Sequence, residues 1–248
     1  MKIPVIVPCA GYHVQFLEDC ITGIRKNILD DIGEIYIVSP KHLVETIQAL
    51  PIDNVTVVDE NEVTGFSKEE LFGDRFNAWV YQQLIKLTCG GLSESGKYIT
   101  IDADHYLIKP HRFIENGHTN YFVNRAFDLR YKGCTDSLLG IDIPMNVSYI
   151  TEEMMFDVLM LNEMRHRIES KTSSNWLNAI IDASRKGTFS EFMTYGNFAM
   201  EAYTEVSKQV WSSVWRLQTV PDGEPHFLSR MAARYPECDS LTLFTPKF

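Results

Sequence analysis

Residues 97–110 read K-Y-I-T-I-D-A-D-H-Y-L-I-K-P, and this stretch decides the fold prediction. An apolar run ends on Asp102 and Asp104, and hydrophobicity resumes directly after His105. The run over residues 97–102 predicts a buried strand. In a continuing strand the two carboxylates would share one face, where they repel each other unless a positive group neutralises them. The end of this strand is therefore where we expect chemistry.

Three earlier apolar runs predict strands that alternate with helices. The predicted strands cover residues 3–8, 34–39 and 54–59, and the predicted helices begin near Phe16, cover 42–50 and cover about 74–89. This alternation is typical of a parallel sheet covered by helices. Ligands of such sheets bind at the carboxyl ends of the strands. We therefore expect the Asp-x-Asp motif to lie beside the segments that follow Pro8, Ser39 and Asp59.

The C-terminal half gives a weaker pattern. Short strands are predicted at residues 121–124 and 145–150, and helices at 152–168 and 176–184. Trp211 and Trp215 are four residues apart, which predicts that they share a helix face and pack in the core. Neither an internal repeat nor a linker interrupts the chain, so residues 1–248 are predicted to form a single domain.

The composition limits the classes of function. With 248 residues and 45% hydrophobic content the chain can bury a substantial core. A net charge of -10 leaves no basic stripe for a phosphate backbone, so we expect no nucleic-acid partner. Five cysteines without CxxC spacing indicate a reducing compartment. No apolar run is long enough for a signal or a membrane span, which predicts a cytoplasmic protein with at most peripheral membrane association.

The Asp-x-Asp motif itself suits a metal. Carboxylate oxygens are preferred ligands of Mg²⁺ and Mn²⁺, which often take further ligands from substrate phosphates. The motif is short, however, and Asp102 and Asp104 could instead be solvated loop residues or helix caps.

Three further stretches accompany the motif. They are V-P-C-A-G-Y after the first strand, W-V-Y-Q-Q-L-I-K-L before the Asp-x-Asp strand, and F-S-E-F-M-T-Y-G-N-F late in the chain. With the alternating N-terminal half, this ordered set resembles the GT-A class of nucleotide-sugar-dependent glycosyltransferases, in particular a small group from bacteria and large viruses. The resemblance covers about residues 3 to 200. It implies a Rossmann-like α/β GT-A fold of nucleotide-diphospho-sugar transferases, with a mixed central sheet flanked by helices. Residues 1–110 would bind the nucleotide sugar and residues 111–248 the acceptor.

The resemblance also implies metal ligands. Asp102 would lie on the ribose or metal side, and Asp104 would coordinate directly a Mn²⁺ or Mg²⁺ ion that bridges the donor diphosphate. A further ligand often comes from the C-terminal part, where His226 follows a loop rich in proline and glycine. His226 could equally be a surface histidine, and His105 is a second candidate.

Donor-binding roles follow in the same way. The resemblance assigns them to Pro8, Ala10, Gly11, Tyr12, Asp59, Gln82, Lys86 and Asp102. Gly11 would let the backbone approach the nucleotide, and Tyr12 would stack on the base. Gln82 and Lys86 lie four apart on a predicted helix and would hold sugar hydroxyls and diphosphate. The simpler alternatives are an ordinary turn at Tyr12, a loop acid at Asp59 and a solvated helix face at Lys86.

Glu191 is the candidate catalytic base. Many GT-A enzymes carry their base in an x-E-D motif at a helix start, and the matching triplet here is Ser190-Glu191-Phe192. A carboxylate suits the deprotonation of an acceptor hydroxyl. Because Phe192 replaces the expected aspartate, inversion and retention both stay open. Ser190 as an N-cap, with Glu191 favouring the helix dipole, is the alternative.

The resemblance implies a metal-dependent glycosyltransferase. Its partners would be a nucleotide-sugar donor, with a UDP-sugar favoured, and a glycan or other hydroxyl acceptor. Trp176, Trp211 and Trp215 lie in the half where GT-A proteins bind acceptors, and aromatic faces stack on sugars. A sugar nucleotidyltransferase is an alternative, although the loop after the first strand lacks the basic, glycine-rich character expected there. A non-catalytic sugar- or nucleotide-binding module is another.

Overall fold

Four short, largely apolar runs form the parallel part of the central sheet. In the computed structural model, which describes residues 2–73, 77–126, 128–142, 146–186, 188–218, 224 and 226–243, these strands are β1 (Ile3–Pro8), β2 (Ile32–Ser39), β3 (Thr56–Asp59) and β4 (Lys97–Ile101). Each of the four predicted strands is confirmed to within two residues at either end. Runs of Ile and Val suit a sheet that is covered on both faces.

A fifth strand makes the sheet mixed. β8 (Glu153–Asp157) pairs antiparallel with β4, and the strand order is β3-β2-β1-β4-β8. The other neighbours in this sheet are parallel. The predicted α/β class with a mixed central sheet flanked by helices is therefore confirmed.

Helices connect the strands. The first five are α1 (Leu17–Asn27), α2 (Val44–Gln48), α3 (Glu60–Thr64), α4 (Lys68–Phe72) and α5 (Ala78–Thr88). The later ones are α6 (Leu129–Leu139), α7 (Val158–Thr172), α8 (Trp176–Lys186), α9 (Glu191–Ala202) and α10 (Phe227–Ala232). Short 3-10 helices span Gly11–Phe16, Lys41–Leu43, Cys89–Leu92 and Thr204–Val206.

Two small sheets flank the central one. Their strands are β5 (His105–Leu107), β6 (Ile114–Glu115), β7 (His118–Val123), β9 (Ser207–Trp211), β10 (Val214–Leu217) and β11 (Ser240–Leu243). One sheet has the order β10-β11-β5 and the other β6-β7-β9. Because β5 follows β4 after three residues, the C-terminal strands are tied directly to the Asp-x-Asp segment.

Side-chain alternation along the strands divides the core between the two faces of the central sheet. Val5 and Val7 of β1 pack with α1 and α2 residues, whereas Ile6 joins the larger cluster formed by α5 to α9. A third cluster joins Phe16 to residues of β5, β10, β11 and α10. The third cluster holds the C-terminal segment against the loop that follows β1.

The helix predicted over residues 152–168 is wrong in its first third. Residues Glu153–Asp157 form β8, and the helix begins only at Val158. A fully buried strand reads as a continuous apolar run, and Met, Glu and Leu also favour helices, so periodicity does not separate the two. The side chain of Asp157 accepts hydrogen bonds from the backbone N–H groups of Leu159 and Met160, at 2.9 and 3.3 Å. This cap starts the helix and ends the strand.

Two other C-terminal predictions are corrected. Trp211 and Trp215 lie on separate strands and not on one helix, and their exposed fractions are 56% and 46%, so neither is a core residue. The strand predicted at 145–150 begins outside the described residues at Met145. From 146 to 150 the structure has only an isolated bridge between Ser148 and Asn124.

Within the described ranges, no helix combines the length and apolar character that a bilayer crossing requires. All five cysteines are buried free thiols.

Candidate functional site

The carboxyl ends of the four parallel strands meet at one edge of the sheet. At this edge β4 ends at Ile101, and the N–H of His105 donates to the carbonyl of Asp102 at 3.0 Å, which closes a tight turn. The strand therefore ends before the Asp-x-Asp motif. The prediction that the two carboxylates share one face assumed a continuing strand, and this assumption does not hold. Ala103 is buried, while the Asp102 and Asp104 side chains each keep 13% exposure.

Lys86 of α5 lies directly behind the motif. Its Nζ is 2.5 Å from Oδ1 of Asp102 and 2.7 Å from Oε1 of Glu191, and it lies 4.2 Å from the ring centroid of Phe192. Burial opposes the charge on this ammonium, but the two carboxylates outweigh burial and raise the pKa of Lys86. Burial raises the pKa of Asp102, and Lys86 opposes that shift. The predicted contact of Lys86 with a diphosphate would have to compete with these ion pairs.

Glu191 is held at the start of α9. Ser190 is the N-cap, and its Oγ accepts from the N–H of Met193 at 3.2 Å, as the capping alternative predicted. The N–H of Glu191 donates to Oε1 of Gln83 at 3.0 Å. Its side chain is only 3% exposed and is bonded to Lys86. A general base must reach the proton that it removes, and here the carboxylate is paired with Lys86; the base role of Glu191 stays a prediction.

Asp104 has a different neighbour. Oδ2 of Asp104 lies 3.7 Å from Nε2 of His13, which belongs to the 3-10 helix after β1. Burial raises the pKa of Asp104 to about 7, and the nearby carboxylate of Glu152 adds to the shift. Burial also lowers the pKa of His13, with Asp102 opposing. Of the basic side chains in the described residues, His13 alone comes within ion-pair distance of Asp104.

Glu152 immediately precedes β8 and supports the motif from the other side. Its carbonyl accepts from the N–H of Asp102 at 3.0 Å, and its carboxylate is 3.0 Å from Nη2 of Arg216. Its φ is 68°, in the left-handed region that a side chain disfavours. Arg216 also donates to the carbonyl of Ile150 at 3.0 Å. The arginine thereby links β10 to the Asp-x-Asp turn.

A fully buried acid and two histidines lie beneath the turn. Nε2 of His105 is 2.6 Å from Oε2 of Glu153, and Nε2 of His111 is 3.7 Å from Oε1. Burial raises the pKa of Glu153 to about 8 and lowers that of His105 to about 4. Burial therefore favours the uncharged form of both side chains. His105 faces Glu153 and not the aspartates.

This pair makes stability depend on pH. In the unfolded chain Glu153 and His105 have their ordinary pKa values of 4.5 and 6.5. Between pH 4.5 and pH 6.5 the folded pair and the unfolded pair therefore hold equal numbers of protons. Between pH 6.5 and about 8 the folded pair holds one proton more than the unfolded pair. The contribution of the pair to stability therefore falls as pH rises through that window, by at most about 1.4 kcal/mol per pH unit.

The segment after β1, for which nucleotide binding was predicted, lies at the same edge. Pro8 is the buried end of β1, whereas Ala10 and Gly11 are exposed. A Cβ on Gly11 would meet nothing within 4 Å, so the space beside this backbone is open. Tyr12 is 47% exposed, and its ring contacts those of His13 and Phe16 at centroid distances of 5.9 and 5.6 Å. An exposed ring at this edge is available for stacking.

The remaining predicted residues are Asp59, Gln82 and His226. Asp59 caps α3 by accepting from the N–H of Asn61 at 3.0 Å, and Gln82 is half-buried on α5. His226 faces Glu18 and Asp19, at 3.7 and 3.9 Å, and its ion pairs do not include the Asp-x-Asp carboxylates. Their binding roles stay predictions. Within the described parts of the chain, no three His, Cys, Asp or Glu side chains are grouped to hold a metal.

Sequence reasoning missed four site residues: His13, Gln83, Glu152 and Arg216. Gln83 adjoins the predicted Gln82, but α5 is buried almost all round, so periodicity does not select a face. Glu152 was assigned to a helix that begins later. His13 follows the quoted V-P-C-A-G-Y stretch directly, and this position was the one available signal.

No curated protein matches the chain. Among solved structures, the chain is similar to mouse xyloside xylosyltransferase 1 in its apo form, with 10% identity and a TM-score of 0.45 over 98% of this chain and 97% of that one. It is also similar to the apo WbbM bifunctional glycosyltransferase, with 12% identity and a TM-score of 0.49. That match covers 97% of this chain and 45% of the WbbM chain, so this chain spans less than half the length of WbbM.

A protein-family comparison covers most of the chain. The model of one family of unknown function matches residues 21–219, which include the Asp-x-Asp turn, α5, β8 and α9. The chain belongs to this family, DUF6492.

Proposed function

We propose that the protein is a metal-dependent glycosyltransferase of the GT-A type. It would move a sugar from a nucleoside-diphosphate donor, with a UDP-sugar favoured, to a hydroxyl group of a saccharide or other acceptor. One observation carries the proposal. Oδ2 of Asp104 lies 3.7 Å from Nε2 of His13 in the 3-10 helix after β1, so the Asp-x-Asp motif lies beside the segment proposed to bind the nucleotide, at the edge where sheets of this kind bind ligands.

The residues at this edge fit a divalent cation. Asp104 is largely buried yet has no lysine or arginine within ion-pair distance among the described residues. Such a carboxylate is costly unless a cation or a proton accompanies it. A bound Mg²⁺ or Mn²⁺ would offset the negative charge on a leaving nucleoside diphosphate. Asp104 would hold that ion, and Lys86 keeps Asp102 fixed beside it.

The nucleotide and acceptor would occupy different parts of this edge. The exposed ring of Tyr12 supplies a stacking face for the base, and the open space at Gly11 allows the backbone to approach the nucleotide. Trp211 on β9 and Trp215 on β10 are exposed in the C-terminal half, where the acceptor is expected, and aromatic faces stack on sugars. Arg125 lies 5.5 Å from the Trp211 ring and adds a charged group to this surface.

The test is hydrolysis of UDP-sugars without an acceptor, measured as UDP release with Mn²⁺ and after chelation by EDTA. We expect release that requires the metal and that falls at least about 100-fold in Asp104→Asn, because the remaining amide is a poor ligand. Asp182→Asn on α8 is the matched control, because the Asp182 side chain is 62% exposed and pairs only locally with Arg185. This control should release UDP at the wild-type rate.

Other outcomes would replace the proposal. Pyrophosphate release from UTP and a sugar 1-phosphate, without UDP release from any UDP-sugar, would identify a nucleotidyltransferase. Donor binding without turnover by the wild type or with any acceptor would identify a binding module. Wild-type rates in Asp104→Asn would remove Asp104 from the site.

A further inference from the structure

The two aspartates of the motif are not equivalent in this chain. Oδ1 of Asp102 is 2.5 Å from the ammonium of Lys86, which is itself fully buried and also paired with Glu191. A cation that took this oxygen would have to displace a buried ammonium or lie beside it. Asp104 has no such competitor, since its near neighbour is an imidazole. A metal ion would therefore face less competition from a bound cation at Asp104 than at Asp102.

The imidazole of His13 has an unused ring nitrogen there. Nε2 of His13 is buried, and no described group forms a hydrogen bond with it. Its distance of 3.7 Å from Oδ2 of Asp104 is too long for a hydrogen bond and short enough for both atoms to reach one cation. Buried polar atoms without partners are rare in folded proteins, and an ion is one of the groups that satisfy them. The nitrogen without a hydrogen bond therefore faces a carboxylate that no lysine or arginine of the described residues pairs with, and one cation between them would serve both.

We propose that His13 and Asp104 are the two protein ligands of the divalent cation, and that a nucleoside diphosphate completes the site. The inference rests on the proposed function, because the diphosphate is the donor's. It replaces His226 with a residue from the loop after β1. It also gives one segment two roles, base stacking and metal binding, because Tyr12, the expected stacking residue, directly precedes His13.

Two consequences follow from the ligand chemistry. An imidazole nitrogen favours Mn²⁺ over Mg²⁺, which prefers oxygen ligands and binds more weakly in general. With two protein ligands and no third in the described residues, most coordination positions must be filled by water and phosphate oxygens. The cation and the diphosphate should therefore strengthen each other's binding, and by linkage they do so by the same factor.

The experiment measures Mn²⁺ binding by the loss of the free-ion EPR signal, with and without UDP, and then with GDP and ADP. Electron spin-echo modulation on the bound Mn²⁺ detects a coordinated ¹⁴N nucleus. We expect at least a tenfold gain in Mn²⁺ affinity when a diphosphate is present and a ¹⁴N signal in the complex. A tenfold excess of Mg²⁺ should fail to displace the Mn²⁺.

Three variants test the assignment of His13 as a metal ligand. His13→Gln should lose the ¹⁴N signal and at least tenfold in Mn²⁺ affinity. His13→Asp should regain binding without the ¹⁴N signal and should lose the preference for Mn²⁺ over Mg²⁺, because its ligands are then all oxygen. His166→Gln alters a histidine on α7 whose side chain is 80% exposed, and it should match the wild type. Circular dichroism of each variant establishes that it is folded.

The outcomes separate this inference from the proposed function. UDP-dependent Mn²⁺ binding and UDP-sugar turnover that are unchanged in His13→Gln, with no ¹⁴N signal, would overturn the role of His13 and leave the transferase standing. A ¹⁴N signal that disappears in His13→Gln, together with no turnover of any UDP-sugar, would support the ligand assignment and overturn the transferase. Absence of Mn²⁺ binding with all three diphosphates would overturn both.

Discussion

Replacing Lys86 by methionine should destabilise the protein strongly and in a pH-dependent manner. The substitution keeps an unbranched side chain that is one atom shorter, and it removes the charge. It leaves the carboxylates of Asp102 and Glu191 together without the ammonium that lies 2.5 and 2.7 Å from them. Removing one partner of a buried ion pair costs about 3 to 5 kcal/mol. Lys97→Met is the matched control, because Lys97 pairs with Asp157 at a half-exposed position and such pairs contribute less than about 1 kcal/mol.

The size of the expected loss of stability follows from the cost of protonating a carboxyl group. The least costly response is for one of the two carboxyls to take up a proton, and a glutamic acid of ordinary pKa about 4.3 does so at pH 7 at a cost of about 3.7 kcal/mol. At pH 5 the same uptake costs about 1 kcal/mol. In the variant the folded-state pKa of that carboxyl is raised above its unfolded value, so its stability falls as pH rises. We expect a loss of about 3 to 4 kcal/mol at pH 7 and about 1 to 2 kcal/mol at pH 5.

Urea unfolding monitored by far-UV circular dichroism at pH 5, 7 and 8 measures these values, with the slope m checked for a common transition. Glu191→Gln in the Lys86→Met background removes one of the stranded carboxylates. The double variant should therefore be more stable than Lys86→Met, with a coupling energy of at least about 1.5 kcal/mol. A loss below 1 kcal/mol at pH 7, or equal losses at pH 5 and pH 8, would refute this role of the ammonium.

Two further predictions concern packing and titration. Gly196→Ala in α9 should destabilise the protein by about 1 to 3 kcal/mol in urea unfolding, because the added Cβ would meet the ring of Tyr149 at 2.5 Å. Gly133→Ala in α6 is the control, because a Cβ added there would meet nothing within 4 Å, and it should stabilise the protein by about 0.5 to 1 kcal/mol. If Gly133→Ala also destabilises the protein, the cause is the change within a helix and not the contact with the Tyr149 ring. Glu153→Gln should flatten the fall in stability between pH 6.5 and 8 that the pKa values of the buried pair predict, as measured by thermal unfolding across that range. An unchanged slope would place the titrating proton on another group.

The N-terminal strands were predictable because their chemistry is unambiguous. β1 and β2 consist largely of Ile and Val, which are stiff at χ1 and pack well on a pleated surface. β8 was not predictable from periodicity because its Met-Met-Phe run suits a buried helix equally well. Its one distinguishing signal is Asp157, whose side chain caps α7, and a cap-first interpretation would have ended the strand there.

The acidic residues of the site were predictable from the sequence, but the residues that pair with them were not. Asp102 and Asp104 could be found because carboxylates after an apolar run are conspicuous. That Lys86 pairs with Asp102, and His13 with Asp104, depends on contacts between segments far apart in the chain. No local pattern encodes such contacts, and the helix bearing Lys86 is buried on nearly every side. The sequence could therefore indicate where chemistry lies but not how each charge is balanced.

The antiparallel pairing of β8 with β4 bears on how the chain can be divided. The boundary predicted at residue 110 separates ligand roles, yet β8 belongs to the second segment and completes the sheet of the first. A fragment that stopped at residue 110 would leave one side of residues Lys97–Ile101 with unsatisfied backbone donors and acceptors. Such a bare strand is a template for self-association. Expression of the first segment alone should therefore yield aggregates, and the two segments should be handled as one unit in any truncation or fusion.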